Sequence, residues 1–283
     1  MLAPFLIMLR EGIEAALITG IIAAYLRQTG RSSWMPAIWI GVFLAVAMSL
    51  FVGAGLQLVS AEFPQKAQEL FEALVGFVAV IVLTFMVFWM RKAARSLKSE
   101  LQQSIDQALA SSSSATWALI GMVFFAVARE GLESVFFLLA IFQQSPGPGA
   151  PVAALAGILV SIVIGLGIYR GGLRLNLRRF FQWTSAFILF VAAGILASAL
   201  GNLHEAGIWN SLQAHTYDLS QVLPTSSTLG SILSGLLGYQ EAPTIGETLI
   251  YVIFLVAAFA AFFRPSRPAP AAPSRVEERN ART

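Results

Sequence analysis

Arg10-Glu11-Gly12-Ile13-Glu14 and Arg129-Glu130-Gly131-Leu132-Glu133 are two copies of one pentad, 119 residues apart, each set in an otherwise apolar stretch. On a helix, residues three apart share a face, so Glu11 with Glu14 and Glu130 with Glu133 each present two carboxylates together. Arg10 precedes Glu14 by four positions and Arg129 precedes Glu133 by four, the spacing of an intrahelical ion pair. Gly12 and Gly131 remove bulk beside the acids, which lets another backbone or an ion come close. If the two helices cross, four carboxylates and two guanidiniums meet, with a net charge of −2 when all are ionised. That balances a divalent cation and leaves a trivalent one short by a single charge. Hard oxygen ligands suit magnesium, calcium, manganese and iron ions. The chemistry on offer is cation binding, with the arginines neutralising the site before the cation arrives. The bland alternative is an ion-paired packing device, which a single pentad would satisfy and two matching ones make harder to sustain.

The chain around the pentads has the composition of a membrane protein. Of 283 residues, 57% are hydrophobic and 12% charged, against about 25% charged in soluble domains. The mean hydropathy is +0.74. There is no cysteine, so disulfides and thiolate metal sites are excluded, and the histidines are His204 and His215 alone. Carboxylate is the ligand type that remains. The N-terminus lacks the basic start of a signal peptide and carries its charges in mid-segment, so it reads as a retained first transmembrane helix.

A spanning helix needs about 20 apolar residues. Seven segments meet that need, at about 3–25, 35–58, 70–90, 116–142, 152–169, 180–201 and 248–263. Ser32 and Ser33 read as a helix start, and 143–151 as a turn no helix crosses. Fifteen of the 18 lysines and arginines fall after spans 1, 3, 5 and 7, and only Lys66 is left for the opposite loops. The positive-inside rule therefore predicts an N-terminus outside and a C-terminus inside the cytoplasmic (inner) membrane. The tryptophans Trp34, Trp89, Trp117 and Trp183 fall near cytoplasmic ends, as an interfacial belt should. The basic loops lack aromatic interleaving, so they signal topology and lipid contact, and no nucleic acid is expected.

Each pentad lies in the first span of a three-span group. Three is odd, so span 1 runs outside to inside and span 4 inside to outside, the arrangement of an inverted-topology repeat. The expected fold is an all-α polytopic membrane protein with seven transmembrane helices, two inverted three-helix repeats plus a final helix. Repeat one covers about 3–92, repeat two about 115–203 and the last span about 247–263, within a domain of 1–263. The proline-rich stretch 264–283 is expected to be a disordered cytoplasmic tail. Inversion brings both pentads to similar depth near the midplane. Ionisable groups there cost about 2.5–3.5 kcal/mol each on insertion scales and normally face a bundle interior or a water path.

The doubled Arg-Glu-Gly-x-Glu motif in spans 1 and 4 of a seven-span chain resembles that of the oxidase-dependent iron permeases, the fungal high-affinity iron permeases and their bacterial EfeU relatives. The resemblance implies iron transport across the cytoplasmic membrane, with Glu11, Glu14, Glu130 and Glu133 as iron-handling ligands and Arg10 and Arg129 as charge-compensating groups. Iron is then the transported substrate, ferrous or ferric, with no permanently bound cofactor. An extracytoplasmic iron-binding protein and a haem peroxidase or oxidase are the partners the family implies, beside the lipid bilayer itself.

The outer loop between spans 6 and 7 supplies accessory candidates. His204-Glu205 and His215-x-x-Asp218 have spacings a metal can use, and Glu247 at the start of span 7 offers a further carboxylate. Surface hydration or helix capping is the plainer reading of the two histidines, Glu205 and Asp218. Glu69-x-x-Glu72 lies at the outer start of span 3, where a first helical turn favours acids anyway. The stretch 229–239 is too short to span and reads as a re-entrant or surface helix. Phosphate-binding loops, Ser-His-Asp sets and Cys-His zinc patterns are missing, so an ATP-driven pump is not expected. The other readings are a permease for another divalent cation such as manganese or lead, a membrane-embedded carboxylate enzyme, or a sensor.

Overall fold

A computed structural model describes residues 2–61, 63–93, 97–110, 115–144, 149–169 and 177–264. The tail from 265, the serine run 111–114, the turn residues 145–148 and most of the basic loop before span 6 (170–176) lie outside the described residues. Nine α-helices follow in order among those described: α1 (Leu2–Gln28), α2 (Met35–Ala61), α3 (Gln65–Ala93), α4 (Leu97–Ala110), α5 (Ala115–Gln144), α6 (Gly149–Tyr169), α7 (Leu177–Glu205), α8 (Thr228–Leu237) and α9 (Ile245–Phe263). No strand occurs among the described residues, where a bridge between His215 and Thr244 is the only β pairing. A helix satisfies every backbone polar group within its own segment, which is what lipid demands.

Five segments among the described residues are long and apolar enough to cross a membrane: Ser32–Val59, Gln65–Trp89, Gly149–Tyr169, Arg179–Glu205 and Ile245–Phe263. Helices α1 and α5 are as long, at 27 and 30 residues, and are set apart by the charges of their pentads. The surface is inverted relative to a soluble protein. Phe51 is 81% exposed and Trp183 is 78% exposed, whereas Arg10 is fully buried. Apolar exposure on that scale is what a lipid-facing surface requires.

Helix pairing sets the positions of the pentads. Helix α1 packs along α6, α5 along α2, and α3 along α7, with α1 and α5 also in contact and α9 on the outside of α7. One buried cluster joins Ile7 and Ile13 of α1 to Leu83 of α3, Phe137 of α5 and Ile188 of α7. A second joins Ile22 and Leu26 of α1 to Ile38 of α2, Ile105 of α4 and Leu119 of α5. Each pentad falls along its helix between residues of one cluster and residues of the other, so its charged groups lie where the two apolar cores meet. Helix α4, between the third and fourth apolar runs, buries Ile105 against the bundle; its Asp106 accepts from Tyr25 Oη at 2.8 Å and pairs with Arg31 at 3.3 Å.

The pentad glycines are explained by neighbouring helices. A Cβ on Gly12 would lie 2.1 Å from Ser161 Oγ of α6, and one on Gly131 would lie 2.2 Å from Ser49 Oγ of α2. One turn further, Gly165 of α6 meets Ala16, and Gly53 of α2 meets Val135. Both serines are buried and donate to carbonyls of their own helices, Ser49 to Ala45 and Ser161 to Ile158. Small residues at such crossings let backbones approach closely, the usual device of helix packing in membranes.

Gly131→Ala should therefore destabilise the protein by about 1–3 kcal/mol through overpacking. Adding Ser49→Gly to the same chain should recover most of the loss, read as thermal unfolding in detergent. Equal unfolding temperatures for the glycine and alanine proteins would contradict the close contact.

Candidate metal site

The two pentads meet where α1 crosses α5. Glu11, Glu14 and Glu130 each offer one carboxylate oxygen, and these three atoms lie within 4.8 Å of one another; all three residues are buried. Arg10 sits among them, its Nε 3.1 Å from Glu14 Oε1 and its Nη1 3.8 Å from Glu11 Oε1. Nη1 also donates to the sulfur of Met86 on α3 at 3.5 Å. The expected Arg–Glu pair four residues apart is thus present, yet its geometry is that of charges side by side and not of an aligned hydrogen bond. Arg10 Nε and Nη2, both oxygens of Glu11 and Glu14 Oε1 are buried with no hydrogen-bond partner.

That pattern points to function. Buried polar atoms are nearly always satisfied, and each exception needs a reason. Among the described residues, every such orphaned side-chain atom except Thr84 Oγ1 belongs to a pentad residue, Glu133 Oε2 being the remaining one. Two ionised carboxylates 4 Å apart repel by about 4 kcal/mol at an effective dielectric near 20. Three of them with one guanidinium carry a net deficit of positive charge that a divalent cation would fill. Carboxylate oxygens this close and buried, those of Glu11 and Oε1 of Glu14 without a donor, are the donor set for a hard or borderline ion.

The second pentad is arranged differently. Glu133 stands outside the group of three and is held by Arg129, whose Nε donates to Glu133 Oε1 at 3.0 Å. The Arg129 side chain is 41% exposed, and its guanidinium lies 4.2 Å from the ring centroid of Trp89 on α3. Such a cation–π contact contributes about 0.5–2 kcal/mol. Trp89, expected only as an interfacial anchor, therefore has a specific partner, whereas Trp117 and Trp183 are exposed as belt residues should be.

The outer-loop candidates separate into two groups. Glu205 and Glu247 line a cavity of about 210 Å³ with Glu72, Asn202, Gln240 and Ser198, bounded by Gly76, Ala140 and Ile195. Ala140 is seven residues beyond Glu133 on α5, so the cavity lies roughly 10 Å along that helix from the second pentad. Glu72 accepts from Gln68 at 3.0 Å and from Asn202 at 3.4 Å. Glu247 completes a capping box with Thr244, accepting at 2.7 Å from its backbone N–H, while its other oxygen faces Gly201. His204, His215 and Asp218 are not brought into this cavity. His204 Nδ1 lies 2.9 Å from Trp209 O, and His215 Nδ1 lies 2.9 Å from Ala242 O. Asp218 accepts from the Ser220 amide at 2.9 Å. The stretch 229–239 overlaps α8, capped by Ser227 and ended by Gly238 at φ 66°, where the backbone touches Gly194 of α7.

Sequence reasoning passed over Ser49, Ser161 and Met86, and set Glu72 aside. The serines had a signal, since Ser49-x-x-x-Gly53-x-Gly55 and Ser161-x-x-x-Gly165-x-Gly167 repeat one pattern in spans 2 and 5. Met86 had none.

Residues 1–264 match the Iron permease FTR1 family. The ferrous iron permease EfeU of Yersinia pestis is 55% identical over 267 residues, which cover 94% of this chain and 95% of that protein. The ferrous iron permease EfeU of Escherichia coli O157:H7 is 53% identical over 267 residues, 94% of this chain and 97% of its own. These relatives are named as permeases and not as enzymes. No solved structure matches the chain.

In the outer loop, the Ser220 hydroxyl and amide hold the Asp218 carboxyl below its usual range. A depressed acid contributes order that is complete above its unfolded value and is lost as pH falls through the folded one. A carbon-detected titration should place the Asp218 midpoint below about 3.9, the ordinary aspartate value. A midpoint above that would show the turn to be unformed.

Proposed function

The chain belongs to the iron permease family, and from that premise we propose that it carries ferrous iron inward across the cytoplasmic membrane, with Glu11, Glu14 and Glu130 as the transient intramembrane site. The observation that carries the reading is the convergence of three buried carboxylates from α1 and α5, with both oxygens of Glu11 and Oε1 of Glu14 left without a hydrogen-bond donor. With Arg10 the group has a formal charge of −2, matched to a divalent ion, and the relatives are named for ferrous iron. Glu133 is the fourth iron-handling group, engaged when Arg129 releases it. Arg10 and Arg129 compensate charge while no ion is bound.

The path begins at the cavity lined by Glu72, Glu205 and Glu247, continues to the carboxylates at the α1–α5 crossing and ends in the cytoplasm. Seven helices span the bilayer, α1, α2, α3, α5, α6, α7 and α9, with the N-terminus outside and the C-terminus inside. The first three and the next three form inverted repeats that rock against one another to expose the site alternately. Support comes from exchange of partners: α1 packs on α6 through Gly12 and Ser161, while α5 packs on α2 through Gly131 and Ser49. The second contacts, Ala16 with Gly165 and Val135 with Gly53, keep the same offset of 119 between α1 and α5. On the outer side, an iron-binding protein and a haem peroxidase or oxidase belong to the proposal through the family resemblance alone.

Radiolabelled ferrous iron uptake, in bacterial cells lacking their own iron importers, tests the reading. At equal membrane abundance, Glu130→Gln should lower uptake by about tenfold or more, the scale seen when groups supporting a metal are lost. Unchanged uptake would return the pentads to a packing role. Uptake of manganese or lead in preference to iron would move the substrate to another divalent cation.

A further inference from the structure

Both pentad arginines are held in the same two-part way. In each, Nε faces the glutamate four residues on: Arg10 to Glu14 at 3.1 Å and Arg129 to Glu133 at 3.0 Å. Each guanidinium also touches one helix, α3. Arg10 Nη1 donates to Met86 Sδ at 3.5 Å, and the Arg129 guanidinium lies 4.2 Å from the Trp89 ring centroid. Met86 and Trp89 are three residues apart, so they share a face of α3. Met86 is buried and Trp89 half-buried.

The chemistry of these two partners is distinctive. Neither carries a charge, and both attract a cation: a thioether sulfur is a weak acceptor, and an indole face draws a guanidinium through its quadrupole. A carboxylate at either position would trap the arginine permanently and enlarge the negative charge of the site. An aliphatic side chain would leave a displaced guanidinium with no partner in a low-dielectric interior, where an unpaired charge is costly. A neutral, polarisable acceptor avoids both outcomes. It can keep hold of a guanidinium that has let go of its glutamate.

We propose that Met86 and Trp89 form a neutral seat on α3 that retains the guanidiniums of Arg10 and Arg129 when a divalent cation displaces them from the pentad glutamates. The proposal rests on the reading that those glutamates bind iron. Met86 and Trp89 are positioning residues, since they act on the arginines and not on the ion. Without the seat, the arginines stay on the carboxylates and compete with the cation, so the effect falls on apparent affinity more than on turnover.

The test uses the purified full chain in proteoliposomes, with ferrous iron kept reduced, and compares Trp89→Leu, Trp89→Phe, Arg129→Gln and the double variant Trp89→Leu/Arg129→Gln. Trp89→Leu should raise KM for ferrous iron about threefold or more with kcat within about twofold, and Trp89→Phe, which keeps a ring face, should recover most of the loss. Once Arg129 is gone, Trp89→Leu should change KM by less than about twofold, because contacting residues do not act independently. Met86→Leu, which conserves volume, should behave likewise against Arg10→Gln. A fall in kcat at unchanged KM, repeated by the same factor without Arg129, would assign Trp89 to packing and overturn the seat. The same variants are followed by thermal unfolding in detergent, which does not depend on transport. There the Trp89→Leu and Arg129→Gln losses should be non-additive, and fully additive losses would overturn the seat. If the intact protein carries no ferrous iron, the transport reading falls, and the unfolding cycle alone decides whether the seat exists.

Discussion

Three carboxylates within 4.8 Å of one another, buried where α1 crosses α5, are the constraint on which the rest of the structure depends. Their mutual repulsion, about 4 kcal/mol for each ionised pair at 4 Å and an effective dielectric near 20, is answered in part by Arg10. The guanidinium is close to Glu11 and Glu14 yet poorly aligned with both, so oxygens remain open while charge is partly balanced. Strong fork-to-fork pairing would have sealed the site. What the protein keeps instead is a loosely compensated cluster of buried carboxylates.

Holding that centre open is the work of close helix contacts. Ser161 against Gly12 and Ser49 against Gly131 press α6 and α2 onto the sides of the helices that carry the acids. Helix α3 touches both arginines, Arg10 through Met86 and Arg129 through Trp89. The difference in exposure between Arg10, fully buried, and Arg129, 41% exposed, shows that the two halves are equivalent in motif and unequal in environment. An alternating mechanism requires such inequality, because each conformation must favour one side of the membrane.

Much of this was legible in the sequence. The pentads stood out because charge in an apolar run is expensive, and their spacing alone placed Glu11 with Glu14 on one face and paired Arg129 with Glu133. The apolar runs located the helices to within a few residues, and the serine at 32 marked the turn into α2 as read. The arrangement of three acids inside and Glu133 apart was not legible, because it depends on the angle at which α1 meets α5. Contacts between distant segments, such as Arg10 with Met86 or Asn202 with Glu72, carry no local signal. The repeated Ser-x-x-x-Gly-x-Gly pattern was present and passed over, since small residues in an apolar helix are common enough to look like background. His204, His215 and Asp218 matched a metal spacing along the chain, but the loop folds so that each of them faces a neighbouring loop group.

Equilibrium binding of radiolabelled ferrous iron to the purified protein in detergent asks directly whether the carboxylates at the α1–α5 crossing hold the ion. Close to one ion per chain is expected, with stoichiometric binding lost when Glu11, Glu14 and Glu130 are all replaced by glutamine and retained when Glu205 and Glu247 are replaced instead. Undiminished binding by the triple glutamine variant would contradict it, and would place the iron site elsewhere than at the crossing of α1 and α5.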